Sequence, residues 1–210
     1  MENVLSIIFC FTLYYLAVTM KVKTYVTLMR VQGLLLTILL LLPLIHGAPL
    51  LSFLLPLALF TIKVVLIPRY MNRIIRDLDI NRVIEPTIQQ ITLLLLVIAS
   101  MSVIFIVSDY LSSMTQIQTI PFATGFSAIV AGSFIIIFRR KLIVHVAGFL
   151  VLENGLFLFS ISVGTELPVM IELGMLLDVF VVIFLMGIAM NRIRSTLSGF
   201  DVTAIGRLKD

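Results

Sequence analysis

The sequence predicts an all-α polytopic membrane protein of about seven transmembrane helices, with its N-terminus outside and its C-terminus cytoplasmic. Three observations lead there. Apolar residues make up 60% of the chain and charged residues only 12%, against about 45–50% and about 25% in soluble domains. The apolar residues fall in runs long enough to cross a bilayer, and the basic residues fall in alternate gaps between those runs.

A helix needs about 20 apolar residues to cross about 30 Å of hydrocarbon. The stretches that qualify are Asn3–Met20, Tyr25–Ile45, Pro49–Ile67, Pro86–Ser108, Thr119–Phe138, Leu142–Val163 and Pro168–Met190. Pro49, Pro86, Pro121 and Pro168 stand at or near their starts, where the missing N–H costs nothing because first-turn donors have no intrahelical partner. The start Met1-Glu2-Asn3 lacks the positive region of a cleavable signal, and the run Val4 to Met20 is long for one, so a retained first helix is expected.

Orientation follows from the Lys and Arg residues. Lys21, Lys23 and Arg30 follow the first span, and Arg69, Arg73, Arg76 and Arg82 the third. Arg139, Arg140 and Lys141 follow the fifth, and Arg192, Arg194, Arg207 and Lys209 the seventh. The gaps around His46, from Asp109 to Gln118, and at Gly164-Thr165-Glu166 contain none. Basic bias in short loops marks the cytoplasmic side. The net charge of +4 therefore reads as topology, and the expected surroundings are a lipid bilayer with no nucleic-acid partner. The expected location is the cell (cytoplasmic) membrane. The single cysteine, Cys10, has no partner for a metal or redox motif, and no phosphate loop, Ser/His/Asp set or His/Cys cluster is present. No catalytic residue, metal or cofactor is expected in this chain.

Charge inside the spans carries the functional information. A charged side chain at the centre of a membrane helix costs about 2.5–3.5 kcal/mol even on the lenient insertion scale, and such residues mark ion or proton paths. The candidates are Lys63 in the third span, His145 and Glu153 in the sixth, and Glu172 and Asp178 in the seventh. At about 1.5 Å per residue, Glu153 lies roughly 20 Å from the cytoplasmic edge and Asp178 roughly 15 Å from the outer one, so both fall near mid-membrane. The same count puts Lys63 and His145 roughly 8–9 Å from the cytoplasmic edge and Glu172 roughly 6 Å from the outer one.

Each candidate has a bland alternative to weigh. Lys63 could snorkel to the headgroups, Glu172 could sit in the interface near a helix N-terminus, and His145 could be a satisfied polar contact. The short side chains of Glu153 and Asp178 reach neither surface. Pro56, seven residues before Lys63, can free a carbonyl and bend the third span. Gly148 and Gly155 flank Glu153 and permit close helix approach, or serve packing alone.

The run Arg139-Arg140-Lys141, His145, Gly148, Leu152-Glu153-Asn154-Gly155, Glu166-Leu167, Ile171-Glu172-Leu173-Gly174 and Asp178 resembles component E of the hydrogenase-4 type membrane hydrogenases. Thr61 to Pro68, Pro121-x-Ala123-Thr124-Gly125, Asp201-Val202 and Leu208-Lys209 agree in order and spacing. The resemblance covers essentially the whole chain. It implies a four-helix N-terminal half (1–115), a three-helix half (116–191) similar to the small subunit of respiratory complex I and of multisubunit sodium/proton antiporters, and a cytoplasmic tail (192–210).

By that resemblance the chain is expected to be a non-catalytic membrane-arm subunit. It would sit among antiporter-like and complex I-like membrane subunits and a peripheral hydrogenase or oxidoreductase module, whose subunits hold the NiFe centre and iron–sulfur clusters. Glu153 matches the mid-membrane glutamate of the small complex I subunit, whereas Asp178 falls about one helical turn from that subunit's last glutamate. In this reading Glu153 and Asp178 exchange a proton, Lys63 tunes or receives it, and His145 connects to the cytoplasmic side. Two rivals stand beside it: a subunit of a sodium/proton antiporter without a redox partner, and a structural spacer.

Overall fold

The computed structural model describes residues 1–42, 44, 53–77, 88–114 and 117–163, together with 174, 177–178, 180–181, 184 and 187. Every element among them is helical, and no strand is present among the described residues. In chain order the helices are α1 (Glu2–Val18), α2 (Val22–Leu41), α3 (Leu54–Leu59), a π-helical segment (Phe60–Leu66), α4 (Ile67–Asp77), α5 (Gln90–Ser112), α6 (Thr119–Phe138) and α7 (Leu142–Val163). Gly174, Leu177, Asp178, Phe180, Val181, Phe184 and Gly187 are also helical, within the stretch expected as the seventh span.

Among the described residues, five helices are long and apolar enough to cross a membrane: Val22–Leu41, Leu54–Arg76, Gln90–Ser112, Thr119–Phe138 and Leu142–Val163. α1, with 17 residues, stands at the short end of the spanning range. α5 shows what surrounds the bundle. Its most apolar window is only 28% buried, and Ile91, Leu95, Val103, Ile106 and Val107 point outward. A face of that kind is stable against hydrocarbon rather than water.

α6 and α7 begin and end where the sequence predicts, because Arg139-Arg140-Lys141 interrupts the apolar run and lets the chain reverse. They form the most closely packed pair among the described helices; α1 and α2 pack across them, and α2 also lies against the π segment and α4. Two glycine pairs set the α6–α7 distance. A Cβ on Gly125 would lie 2.5 Å from the Phe159 nitrogen and 2.9 Å from the Gly155 oxygen, and one on Gly155 would lie 2.7 Å from the Gly125 oxygen. One antiparallel step along, a Cβ on Gly132 would meet the Gly148 oxygen at 2.7 Å. Small residues let membrane helices gain dispersion contact where no hydrophobic effect drives association, and Gly148 and Gly155 do this here.

Other boundaries depart from the sequence reading. α2 begins at Val22, three residues before the expected Tyr25, so Lys23 is on the helix and not in the turn before it. α5 runs from Gln90 to Ser112, four residues later than expected, and Ile88 and Gln89 are not helical; Pro86 therefore does not open it. The third helix does not stop at Ile67: α3, the π segment and α4 are continuous to Asp77. Arg69, Arg73 and Arg76 occupy the exposed face of α4, while Ile67, Met71, Ile74 and Ile75 are buried at i, i+4, i+7 and i+8, the spacing of one helical stripe. The basic residues share an amphipathic helix with a buried face, and the span is correspondingly longer. Pro56 lies in the first turn of α3, and the departure from α geometry falls after it, in Phe60–Leu66. Pro49, Arg82, Pro168 and the tail from 188 onward lie outside the described residues.

Candidate functional site

The longer third helix relocates Lys63. It lies level with Glu153 along the bundle and is 7% exposed, so its side chain is held inside the protein and does not snorkel. Its Nζ donates to Glu153 Oε1 at 2.7 Å and to Asn154 Oδ1 at 2.9 Å, and stands 3.6 Å from Asp178 Oδ2. Glu153, Asn154 and Asp178 are all buried. One cation and two carboxylates from three helices thus meet inside the bundle. The group is electrically neutral when one proton is held between the two carboxyls.

Two glycines allow this convergence. A Cβ on Gly33 of α2 would lie 3.0 Å from Lys63 Cβ, and one on Gly174 would lie 3.1 Å from Glu153 Oε1. The backbone of the seventh stretch therefore approaches the glutamate closely at Gly174, and one helical turn further on Asp178 reaches the lysine.

A neutral chain of hydrogen bonds leaves the charged group sideways. Asn154 Nδ2 donates to Gln32 Oε1 at 3.2 Å, Gln32 Nε2 donates to Thr12 Oγ1 at 2.8 Å, and the Thr12 hydroxyl donates to the Phe9 carbonyl at 2.6 Å. Its polarity is fixed from the far end. Because Thr12 spends its proton on Phe9, it accepts from Gln32; Gln32 then offers its oxygen to Asn154, and Asn154 is left with its carbonyl facing Lys63. The ammonium therefore has a dedicated neutral acceptor. Replacing Gln32 by Leu strands the buried Asn154 amide, at a cost of about 1–3 kcal/mol. A thermal midpoint in detergent unchanged from wild type would contradict this.

His145 is not part of the group. It precedes Glu153 by eight residues, roughly 12 Å along α7, and its Nε2 contacts the Arg139 carbonyl oxygen. Its ring lines an apolar cavity of about 300 Å³ with Ile136, Leu142, Val146, Phe149, Phe180, Val181 and Phe184. Glu172 lies outside the described residues.

Asn154, Gln32 and Thr12 have no assigned role in the sequence reading, nor do Gly33 and Gly174. A Gln-Gly pair inside an apolar run at Gln32-Gly33 was the available signal. Arg139 differs too: expected as a loop charge, it is 1% exposed. Its Nη2 donates to the Ala17 and Thr19 carbonyls at 3.1 and 3.4 Å, the C-terminal end of α1, where the helix dipole favours a cation. Tyr25 OH donates to the neighbouring Leu16 carbonyl at 3.0 Å. Arg139 thus pins the α1–α2 corner to the α6–α7 corner.

No family model and no solved structure matches the chain. It is 28% identical over 94 residues, 45% of its length, to the Mycobacterium tuberculosis protein named "Uncharacterized protein Rv0085". The chain spans 42% of that protein.

Proposed function

We propose that this chain is a non-catalytic, multi-pass membrane-arm subunit of a membrane-bound hydrogenase or complex I-like oxidoreductase, and that Lys63, Glu153 and Asp178 form part of a proton path coupled to electron transfer. The chain would cross the cell membrane seven times, N-terminus outside, and its partners would hold the NiFe and iron–sulfur centres. The observation that supports the reading is the buried meeting of one ammonium and two carboxylates from three helices. Ionisable groups are costly in such a place unless paired, and the set can hold one proton between its two acids while staying neutral overall. The family resemblance supplies the redox module and the neighbouring subunits.

The test is Glu153→Gln in the intact complex. Coupled proton translocation into vesicles should fall at least about tenfold, the loss expected when a proton-exchanging group is removed, with assembly retained on native gels. Full translocation in an assembled complex would leave Lys63–Glu153 as a structural clamp. Purification in mild detergent separates the rival with no redox partner: a hydrogenase-type large subunit and iron–sulfur proteins should accompany the chain, whereas an antiporter subunit would bring membrane proteins alone.

A further inference from the structure

The surroundings of Lys63 Nζ have the composition of a cation site. Glu153 Oε1, Asn154 Oδ1 and Asp178 Oδ2 converge on it at 2.7, 2.9 and 3.6 Å, two carboxylates and an amide carbonyl, the hard oxygen donors that bind weakly polarisable metal ions. Glu153 Oε2 and both Asp178 oxygens are also buried and have no hydrogen-bond partner among the described residues, so Asp178 meets the ammonium as an ion pair only. The cage therefore has more oxygen than one ammonium satisfies. With both acids ionised it also has one more negative charge than the lysine neutralises.

Space decides what else can enter. The backbone at Gly174 approaches Glu153 Oε1, and Gly33 approaches the lysine stem. The void that touches Lys63 and Asn154, bordered by Met29, Ile67 and Leu150, is about 10 Å³, room for one water at most. Met29, Ile67 and Leu150 stand about one helical turn from Gln32, Lys63 and Glu153 on their respective helices, all toward the end of the bundle that carries Arg139, Arg140 and Lys141. A sodium ion with any of its hydration shell does not fit beside the ammonium.

We propose that Lys63 is a tethered cation filling an alkali-ion cage built by Glu153, Asn154 and Asp178, so that the native site handles H⁺ and excludes Na⁺, and that removing the lysine's ammonium exposes a sodium site. The inference rests on the proton-path reading for the identity of the transported ion; the cage itself stands on geometry alone.

The experiment tracks the thermal midpoint of the full-length protein in mild detergent, in NaCl and in choline chloride at equal ionic strength. The wild type should show no difference between the salts. Lys63→Ala should have a depressed midpoint in choline that rises saturably with Na⁺, and also with methylammonium, which replaces the missing head group. A saturable sodium-dependent rise in the wild type overturns the proposal, as does a Lys63→Ala midpoint equal in both salts. Where Lys63→Ala yields no folded protein, the wild-type series decides together with transport in the intact complex. A flat thermal response and undiminished proton translocation in sodium-free buffer support the proposal, and a sodium requirement overturns it. The salt series reads the cage and the Glu153→Gln assay reads the path, so the two readings fail separately.

Discussion

Lys63→Met should destabilise the protein by about 3–5 kcal/mol, the loss seen when one partner of a buried ion pair is removed and the other is left uncompensated. The side chains are similar in length, so packing changes little; what is lost is the charge opposite Glu153 and Asp178 and the donor to Asn154. The triple variant Lys63→Met, Glu153→Gln, Asp178→Asn should regain most of that stability, since neutral replacement of a whole buried ionic group is often tolerated. Denaturation followed in detergent by helical circular dichroism measures both. A triple variant no more stable than Lys63→Met would show that the loss comes from packing and not from stranded charge.

Gly125→Ala should cost about 3 kcal/mol, the upper range for overpacking, even though Ala is the better helix former by about 1 kcal/mol. The added carbon would meet backbone atoms of α7 at 2.5 and 2.9 Å, and backbone cannot turn aside as a side chain can. α7 must shift, displacing Glu153 and Asn154 relative to Lys63, so under the proposed proton path translocation should fall together with the thermal midpoint. Gly187→Ala is the control: nothing among the described residues lies within 4 Å of its Cβ position, and its midpoint should stay level or rise slightly. Equal responses at Gly125 and Gly187 would remove the glycine contact as the determinant of the α6–α7 distance.

How far the sequence reveals this arrangement depends on which physical signal each part leaves. α6 and α7 were legible to the residue because three consecutive basic residues break an otherwise continuous apolar run. Glu153 and Asp178 were legible as interior because a short acid in mid-span has nowhere else to go. The end of the third helix was not, since hydropathy counts charges without asking which face bears them. Arg69, Arg73 and Arg76 looked like a loop although Ile67, Met71, Ile74 and Ile75 continue the buried stripe. The expected separation between Lys63 and Glu153, which the 2.7 Å contact removes, came from that one boundary. Asn154 and Gln32 were hidden for a different reason: uncharged amides leave no topological mark, and their bond joins residues 122 positions apart. Buried Arg139 was masked by its neighbours, because three adjacent basic residues read alike until helix packing singles one out.

The π segment Phe60–Leu66 bears on how this chain is compared with others. A wider turn with i→i+5 bonding holds about one more residue than the α-helix it interrupts, so the helical wheel before Phe60 and the wheel after Leu66 are out of phase by roughly one position. An alignment drawn straight through without a gap can match either α3 or α4 to a regular helix, but not both. In a relative that lacks the extra residue, the position written opposite Lys63 can fall on the lipid side of its helix, and the lysine's true counterpart will stand one column away.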